Sequence, residues 1–259
     1  MKLKNLLTIL TCFTVLTSFG QEISKTDILK FKIKSITTFD SDGEVKFVKF
    51  YNSKGDFIIE KTLNDDKKLQ IRRELLYNGT NQLIEEQRFT SDGDINLTMK
   101  YFYDSQNKLI KKESIKLGQI DATWTFQYDK NSNKITETQT SEIIGNSLTK
   151  YEYDANRLLI QEDKSNNSIG KEERINYKYS DKRQLIEKKT KAFYFNTTLV
   201  VTYIYNDAER LIKQVEKSSN GVSSTTDYKY NDSGLLVSEI WQGSIGKILH
   251  QTTYKIDTE

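Results

Sequence analysis

Few residues of this 259-residue chain offer chemistry beyond acid, base and aromatic groups. The sequence has one histidine, His250, and one cysteine, Cys12. A multi-histidine metal site is therefore excluded, and a histidine-based triad would depend entirely on His250. We interpret His250 as an ordinary strand residue.

Carboxylates are abundant, but their spacing singles out no catalytic pair. Acidic clusters stand at Asp40/Asp42/Glu44, Asp65/Asp66 and Asp92/Asp94. Calcium would need six or more oxygen ligands in one loop, so we interpret these clusters as turns. With no glycine-rich phosphate loop either, the sequence predicts no catalytic, cofactor-binding or metal-binding residues and no cofactor.

The two tryptophans, Trp124 and Trp241, are the residues most suited to stacking on a sugar ring. Trp124 stands four positions before Tyr128, so alternation along a strand places both on one face. Packing within a sheet is the simpler interpretation of both tryptophans. The ligand-binding residues stay unknown at this level.

The N-terminal sequence and the net charge restrict the expected localisation and partners. Residues 1–20 have basic Lys2 and Lys4, an apolar run from Leu6 to Leu16 and small residues before Gln21, which predicts a secretory signal peptide. Cys12 lies inside that run, and acylation there is the alternative. Without the two lysines the formal charge of +3 falls to about +1, which predicts no nucleic-acid partner. We expect a secreted, periplasmic or cell-surface protein with no stable transmembrane segment after cleavage.

The rest of the chain is a repeat. An aromatic-x-Tyr pair followed by Asp, Asn or Ser recurs, as in Tyr151–Asp154 and Tyr228–Asn231, in steps of 25 or 26 residues. We call the second aromatic of each copy its anchor; the anchors are Tyr51, Tyr77, Tyr103, Tyr128, Tyr153, Tyr179, Tyr205 and Tyr230. An apolar pair such as Leu159-Ile160 stands six and seven residues past nearly every anchor. A decayed ninth copy ends at Tyr254–Asp257.

Each copy predicts two antiparallel strands and two turns. The tyrosines share one strand face, Asp or Asn starts a turn, and the apolar pair opens the return strand. We also predict a strand over 28–39 and no helix after the signal. The fold expected for residues 21–259 is a single all-β repeat domain, a long antiparallel meander of about 18 strands that coils, spirals or closes into a barrel.

These marks resemble the YD repeat of bacterial RHS and teneurin-type proteins. The resemblance rests on the Tyr-x-Tyr-Asp/Asn strand ends and on following pairs such as Arg157-Leu158 and Arg210-Leu211, over roughly residues 45–257. It implies β-rich shells or spirals on exported proteins. The repeat here is longer, and the glycine before the leucine survives only as Gly55 and Gly234. Neither toxin delivery nor catalytic residues are implied.

The repeat predicts a non-enzymatic scaffold or binding module of the cell envelope, with a glycan, cell-wall or protein ligand. Three alternatives stay open: a carboxylate-based hydrolase, an accessory component of an RHS-like toxin or surface system, and an outer-membrane barrel. The last is disfavoured because strands such as Lys171–Tyr177 lack an outward apolar band. The oligomeric state is not predicted.

Overall fold

A computed structural model describes residues 23–64, 66–143, 145–168 and 170–258. The predicted signal peptide, Cys12 and Asp65 therefore lie outside the described residues. The described part holds one short helix, α1 (Lys25–Lys30), and 18 strands. The strands are β1 (Ile33–Phe39), β2 (Val45–Tyr51), β3 (Phe57–Leu63), β4 (Leu69–Tyr77), β5 (Leu83–Phe89), β6 (Ile95–Tyr103), β7 (Leu109–Lys116), β8 (Gln119–Tyr128), β9 (Lys134–Thr140), β10 (Ser147–Tyr153), β11 (Leu159–Asn166), β12 (Gly170–Tyr179), β13 (Leu185–Ala192), β14 (Thr197–Tyr205), β15 (Leu211–Ser218), β16 (Ser223–Tyr230), β17 (Leu236–Gly243) and β18 (Ile248–Thr258).

The strands form one antiparallel sheet that closes on itself. Each strand pairs with its neighbours in sequence, and β1 pairs with both β2 and β18. The seam between β1 and β18 sets Ile36 opposite Ile256 and Thr38 opposite Tyr254. The predicted all-β meander is confirmed, and closure into a barrel resolves the alternatives that the sequence left open.

The predicted repeat boundaries coincide with the strands. Every even-numbered strand from β2 to β16 ends at an anchor tyrosine, and the following strand begins six residues later, for example at Leu159 after Tyr153. A bulge accompanies each anchor, because Tyr153 pairs with Leu159 while Glu152 pairs with Gln161. The extra residue, Ile160, is turned outward and exposed.

The turn after each anchor is held by the predicted Asp or Asn. Asp154 Oδ1 accepts the backbone N–H groups of Asn156 and Leu158 at 2.9 and 2.8 Å. Arg157 between them has a φ of +63°, the left-handed conformation that glycine tolerates best. Gly55 and Gly234 occupy the same position in their copies, which explains the glycine that survives there.

The anchor hydroxyls join one repeat to the next. Tyr179 donates a hydrogen bond of 2.9 Å to the carbonyl of Leu159, one repeat earlier. The β11–β12 ladder ends at the pair Gln161–Asn176, so the Leu159 carbonyl lies beyond it and has no backbone partner on β12. The same bond recurs at 2.7–2.9 Å from Tyr77, Tyr103, Tyr128, Tyr153, Tyr205 and Tyr230.

The prediction of a strand over 28–39 was wrong for its first residues, and the prediction of no helix after the signal was wrong as well. Residues 25–30 form α1, where Ser24 caps the helix by accepting the backbone N–H of Asp27. Ile28 is 5% exposed and belongs to a cluster with Ile33, Ile36 and Leu235. Packing of α1 against one end of the barrel therefore outweighed the alternating pattern. No helix in the described ranges is long and apolar enough to cross a membrane.

We predict that Tyr179→Phe destabilises the protein by about 1 kcal/mol, because the Leu159 carbonyl loses its donor while the ring stays packed. The denaturant midpoint should fall accordingly. The control is Tyr194→Phe, because Tyr194 is 74% exposed in a hairpin and should leave the midpoint unchanged. Equal midpoints for the two variants would contradict a structural role for the anchor hydroxyls.

We predict that Ser132→Gly stabilises the protein by up to about 1 kcal/mol, since relief of left-handed strain outweighs the added entropy of the unfolded chain. Ser132 has a φ of +68° in the β8–β9 turn. The neighbouring Asn131 is not among the positive-φ residues, so Asn131→Gly should be destabilising in the same urea titration. A loss of stability in both variants would refute the strain argument.

Candidate binding cavity inside the barrel

The face that carries the tyrosines lines the inside of the barrel. Buried strand residues such as Ile36, Met99, Val201 and Tyr228 share this face by alternation. One cavity is lined from six consecutive strands, β15 to β18 with β1 and β2, and only the concave side of a closed sheet allows that. Residues of opposite parity therefore form the outer wall.

A ring of polar residues crosses the interior nine positions past each anchor. We call it the central ring; its members are Glu60, Glu86, Lys112, Glu137, Glu162, Lys188, Gln214 and Glu239. The first tyrosine of the next copy reaches it: Tyr177 donates to Glu162 at 2.6 Å and Tyr254 donates to Glu239 at 2.7 Å. The bond recurs from Tyr151 to Glu137 at 3.0 Å. The repeat thus builds a tyrosine–carboxyl layer beneath the anchors.

One arc of this ring is compensated by cations. Glu86 is 3% exposed and accepts two bonds from Arg73, at 2.8 and 3.0 Å, and one from Arg88 at 2.8 Å. Burial alone would raise its pKa, but these guanidinium groups hold the pKa of Glu86 below its ordinary value. Lys134, 2.8 Å from Glu137, lowers the pKa of that carboxyl in the same way against burial.

In the opposite arc, neutral side chains donate the hydrogen bonds to the carboxyls. Burial raises the pKa of Glu239, and its hydrogen bond from Tyr254 opposes that rise. Glu216, two residues past the ring position Gln214, accepts hydrogen bonds from Gln214 at 2.7 Å and from Ser224 at 3.2 Å. Burial and the charges of Glu239 and Glu216 all raise the pKa of Tyr228, so this tyrosine lies near both carboxyls.

The cavity on this side measures about 540 Å³ and combines these carboxyls with aromatic rings. Trp241 and His250 are direct cross-strand partners on β17 and β18. Trp241 is 41% exposed, so its indole is accessible within the cavity. The lining is Thr38, Phe39, Asp40, Lys46, Phe47, Gln214, Glu216, Thr226, Glu239, Trp241, Leu249, His250, Thr252 and Tyr254. An indole beside hydrogen-bonding carboxyl, amide and hydroxyl groups suits a polyhydroxylated ligand.

Trp241 and His250, which the sequence singled out, lie together in this cavity. Trp124, the other tryptophan, does not line it. Trp124 lies elsewhere on the inner wall, where Lys112 stands 4.3 Å from the centre of its ring. Burial lowers the pKa of Lys112. Trp124 is therefore a cation–π partner in the wall rather than part of the cavity.

The acidic clusters behave as turns where they are described. Asp40 Oδ1 accepts the backbone N–H groups of Asp42 and Glu44 at 3.0 and 2.9 Å. The Glu44 backbone bond and Lys46 lower the pKa of Asp40. Across the described ranges no group of three or more His, Cys, Asp or Glu side chains is placed to hold a metal ion.

Sequence reasoning missed Glu216 and Glu239. A signal for Glu239 was present, because an acid stands nine residues past the anchor in five of the eight copies, Glu60, Glu86, Glu137, Glu162 and Glu239. The sequence could not show which of these acids would meet a cation. That depends on neighbours such as Arg73, which the repeat does not specify.

Comparison with known proteins gives no family. The sequence matches no protein-family profile and no curated protein. Similar solved structures include a porin-like protein from Bacteroides uniformis, with 12% identity over 88% of this chain and 97% of that one and a TM-score of 0.47. The Tc holotoxin pore of Photorhabdus luminescens has 14% identity over 80% of this chain and 11% of that one, with a TM-score of 0.41.

A third similar structure is TcdB2-TccC3-TEV, with 11% identity over 85% of this chain and a TM-score of 0.38. This chain spans 16% of the length of that one. At these identities and TM-scores the likenesses carry no argument about ancestry or activity. The YD-repeat resemblance therefore stays a prediction.

We predict that Glu239→Gln raises stability at pH 7. Because the folded-state pKa of Glu239 is raised, the folded protein binds its proton more tightly, and stability is lost as pH rises through that pKa. Glutamine still accepts the Tyr254 hydrogen bond without the cost of burying a charge. The gain, measured by urea titration, should shrink as the pH falls through the raised folded-state pKa and should be lost below about 4.5.

Glu86→Gln is the matched control, at the same repeat position with the opposite shift. Its stabilising contribution exists above the ordinary glutamate pKa and is lost as pH falls through the lowered folded-state pKa. This variant should lose stability at pH 7 and approach the parent in acid. The same sign of change in both variants at pH 7 would overturn the division of the ring into two arcs.

Proposed function

We propose that this protein is a non-enzymatic, exported binding module that takes an oligosaccharide into the cavity between β15 and β2. The observation that carries the proposal is the pairing of Trp241 with His250 in a cavity that also holds Glu216, Glu239 and Tyr254. An indole stacks on the apolar face of a sugar, and carboxylate oxygens accept hydrogen bonds from its hydroxyls.

The carboxyl of Glu239 in the central ring is better explained by ligand binding than by a contribution to folding stability. Glu239 is half-buried with a tyrosine as its hydrogen-bonding partner, and such a carboxyl costs folding free energy. A sequence that only needed a stable barrel could repeat the Arg73–Glu86 arrangement in this arc. Retention of an uncompensated acid beside an accessible tryptophan fits a ligand site.

The outer wall supports a barrel surrounded by water at the cell envelope. Cross-strand ion pairs cover it, including Arg174–Asp163 at 2.8 Å, Lys178–Glu187 at 2.8 Å and Lys213–Asp227 at 3.2 Å. A lipid-facing wall would carry an apolar band instead, and Arg or Lys at its midplane costs about 2–4 kcal/mol. Export through the predicted signal peptide and a YD-like origin of the repeat are part of the same proposal.

A second candidate is a glycoside hydrolase that uses the same cavity. Glu239, whose pKa is raised, is the kind of group that serves as a general acid, and Glu216 lines the same cavity as a second carboxylate. Binding without turnover favours the first proposal. New reducing ends formed from a bound glycan, and abolished by Glu216→Gln, would favour the hydrolase.

We predict that Trp241→Ala weakens glycan binding at least tenfold, because an aromatic side chain that its ligand covers contributes more than about 1.4 kcal/mol. Ligands are first sought on a glycan array and among peptidoglycan fragments. The affinities of the parent and of Trp241→Ala are then measured by isothermal titration calorimetry. In a Trp124→Phe background, where Trp241 is the one remaining indole, its fluorescence reports directly on the bound glycan. Trp124→Phe alone should bind as tightly as the parent.

Two results would reject the proposal. One is the absence of binding to any array glycan or peptidoglycan fragment by a protein whose circular dichroism confirms a folded sheet. The other is a bound glycan whose affinity is the same with Trp241→Ala, because the ligand would then lie outside this cavity.

A further inference from the structure

One rim of the barrel repeats a single kind of turn, whereas the other rim combines that turn with connections of other lengths. Connections from even to odd strands, such as 154–158, all lie at one rim and follow the anchor pattern. Connections from odd to even strands lie at the other, which we call the hairpin rim. The repeat constrains the hairpin rim least, so its residues are free to serve another purpose.

Hairpins of the hairpin rim between β7 and β18 expose large apolar side chains at their tips. Leu117 is 99% exposed, Ile245 88%, Ile143 79% and Val222 63%. Tyr194 and Phe195 stand at the β13–β14 tip, 74% and 43% exposed. We call these six residues the apolar arc. Among the described residues, the turns of the opposite rim expose no large apolar side chain.

Leu117 departs most clearly from turn chemistry. It forms a two-residue turn with Gly118, and its φ is +48°. Asn or Asp normally occupies that position, because their short polar side chains tolerate the left-handed conformation and water. A fully exposed leucine there has no local advantage, so its side chain is suited to an apolar environment outside the protein.

The hairpins that carry the apolar arc also differ in charge from the first and third hairpins of the rim. Exposed lysines flank the tips of the apolar arc at Lys116, Lys191, Lys217 and Lys247. The turns of the first and third hairpins, residues 40–44 and 90–94, instead carry Asp42, Glu44, Asp92 and Asp94 and contain no large apolar residue. Four exposed lysines and one exposed acid, Glu142, thus flank the apolar arc, whereas acids predominate in the first and third hairpins.

We propose that the apolar arc docks the barrel on an anionic lipid bilayer, with its tips in the headgroup layer. Separate tips that each present one or two apolar side chains, most of them flanked by a lysine, match an interface that needs no shape complementarity. Tyrosine, phenylalanine and lysine are side chains that favour the membrane–water boundary. The acidic hairpins would be turned away from the bilayer by their charge.

The first test is cosedimentation with vesicles of phosphatidylcholine containing phosphatidylglycerol, with vesicles of phosphatidylcholine alone for comparison. We expect binding to the anionic vesicles, and the triple variant Leu117→Ser, Val222→Ser, Ile245→Ser should reduce the bound fraction at least fivefold. These side chains are exposed at hairpin tips, so folding should be unaffected.

The matched control removes three exposed aliphatic side chains from the outer wall, Ile160→Ser, Ile186→Ser and Ile204→Ser. Its binding should equal that of the parent. The charge reversals Lys191→Glu and Lys247→Glu should weaken binding to anionic vesicles, and added salt should do the same.

The apolar N-terminal run from Leu6 to Leu16 could bind vesicles by itself. A tryptophan placed in the apolar arc reports only on contact between that arc and lipid. In a Trp124→Phe, Trp241→Phe background, Ile245→Trp should shift its emission to the blue and be quenched by brominated lipid. Ile160→Trp in the same background should do neither.

Three outcomes would overturn the proposal: no vesicle binding, equal binding by the tip and wall triple variants, or a reporter at 245 that lipid leaves unchanged. A lipid-free dimer that Leu117→Ser, Val222→Ser, Ile245→Ser dissociates would also overturn it. In that case the arc is an interface between copies of this chain.

Discussion

The hydrogen-bonded seam between β1 and β18 is the contact on which the rest of the structure depends. It joins strands from the two ends of the described chain, and the Ser35 hydroxyl donates to the Asp257 carboxylate beside it at 3.1 Å. An open sheet of 18 strands would leave two rows of unpaired backbone groups. Closure removes both edges and gives the sheet one concave face. The tandem repeats therefore enclose an interior.

Closure also decides the electrostatics of the repeat. The residue nine positions past each anchor faces the interior, where burial penalises a charge. Arg73 and Lys134 compensate for that penalty at Glu86 and Glu137, whereas at Glu239 a tyrosine hydroxyl is the hydrogen-bonding partner. A uniform repeat thus acquires one distinctive sector, and the accessible Trp241 lies in the same sector.

The two rims separate structural from functional demands. At the anchor rim, the Asp or Asn turn, the left-handed residue and the tyrosine–carbonyl bond recur in copy after copy, because each repeat must be joined to the next. At the hairpin rim the same backbone turn recurs in several connections, such as 40–44, 218–222 and 243–247, but other connections depart from it. The tips of this rim also differ in charge and polarity. Variation between copies is therefore concentrated where it costs the fold least, at the hairpin rim and along one sector of the inner wall.

The sequence by itself determined the strands, their order and their turns, since anchor spacing, alternation and Asp or Asn turns are local signals. It also marked Trp241 as a departure from the repeat. Only the tertiary structure decided that the sheet closes, that residues 25–30 form a helix, and that Trp241, His250, Glu216 and Glu239 share a cavity. The reason is that burial and ion pairing depend on strands distant in sequence, whose meeting is fixed by the seam and not by any single repeat.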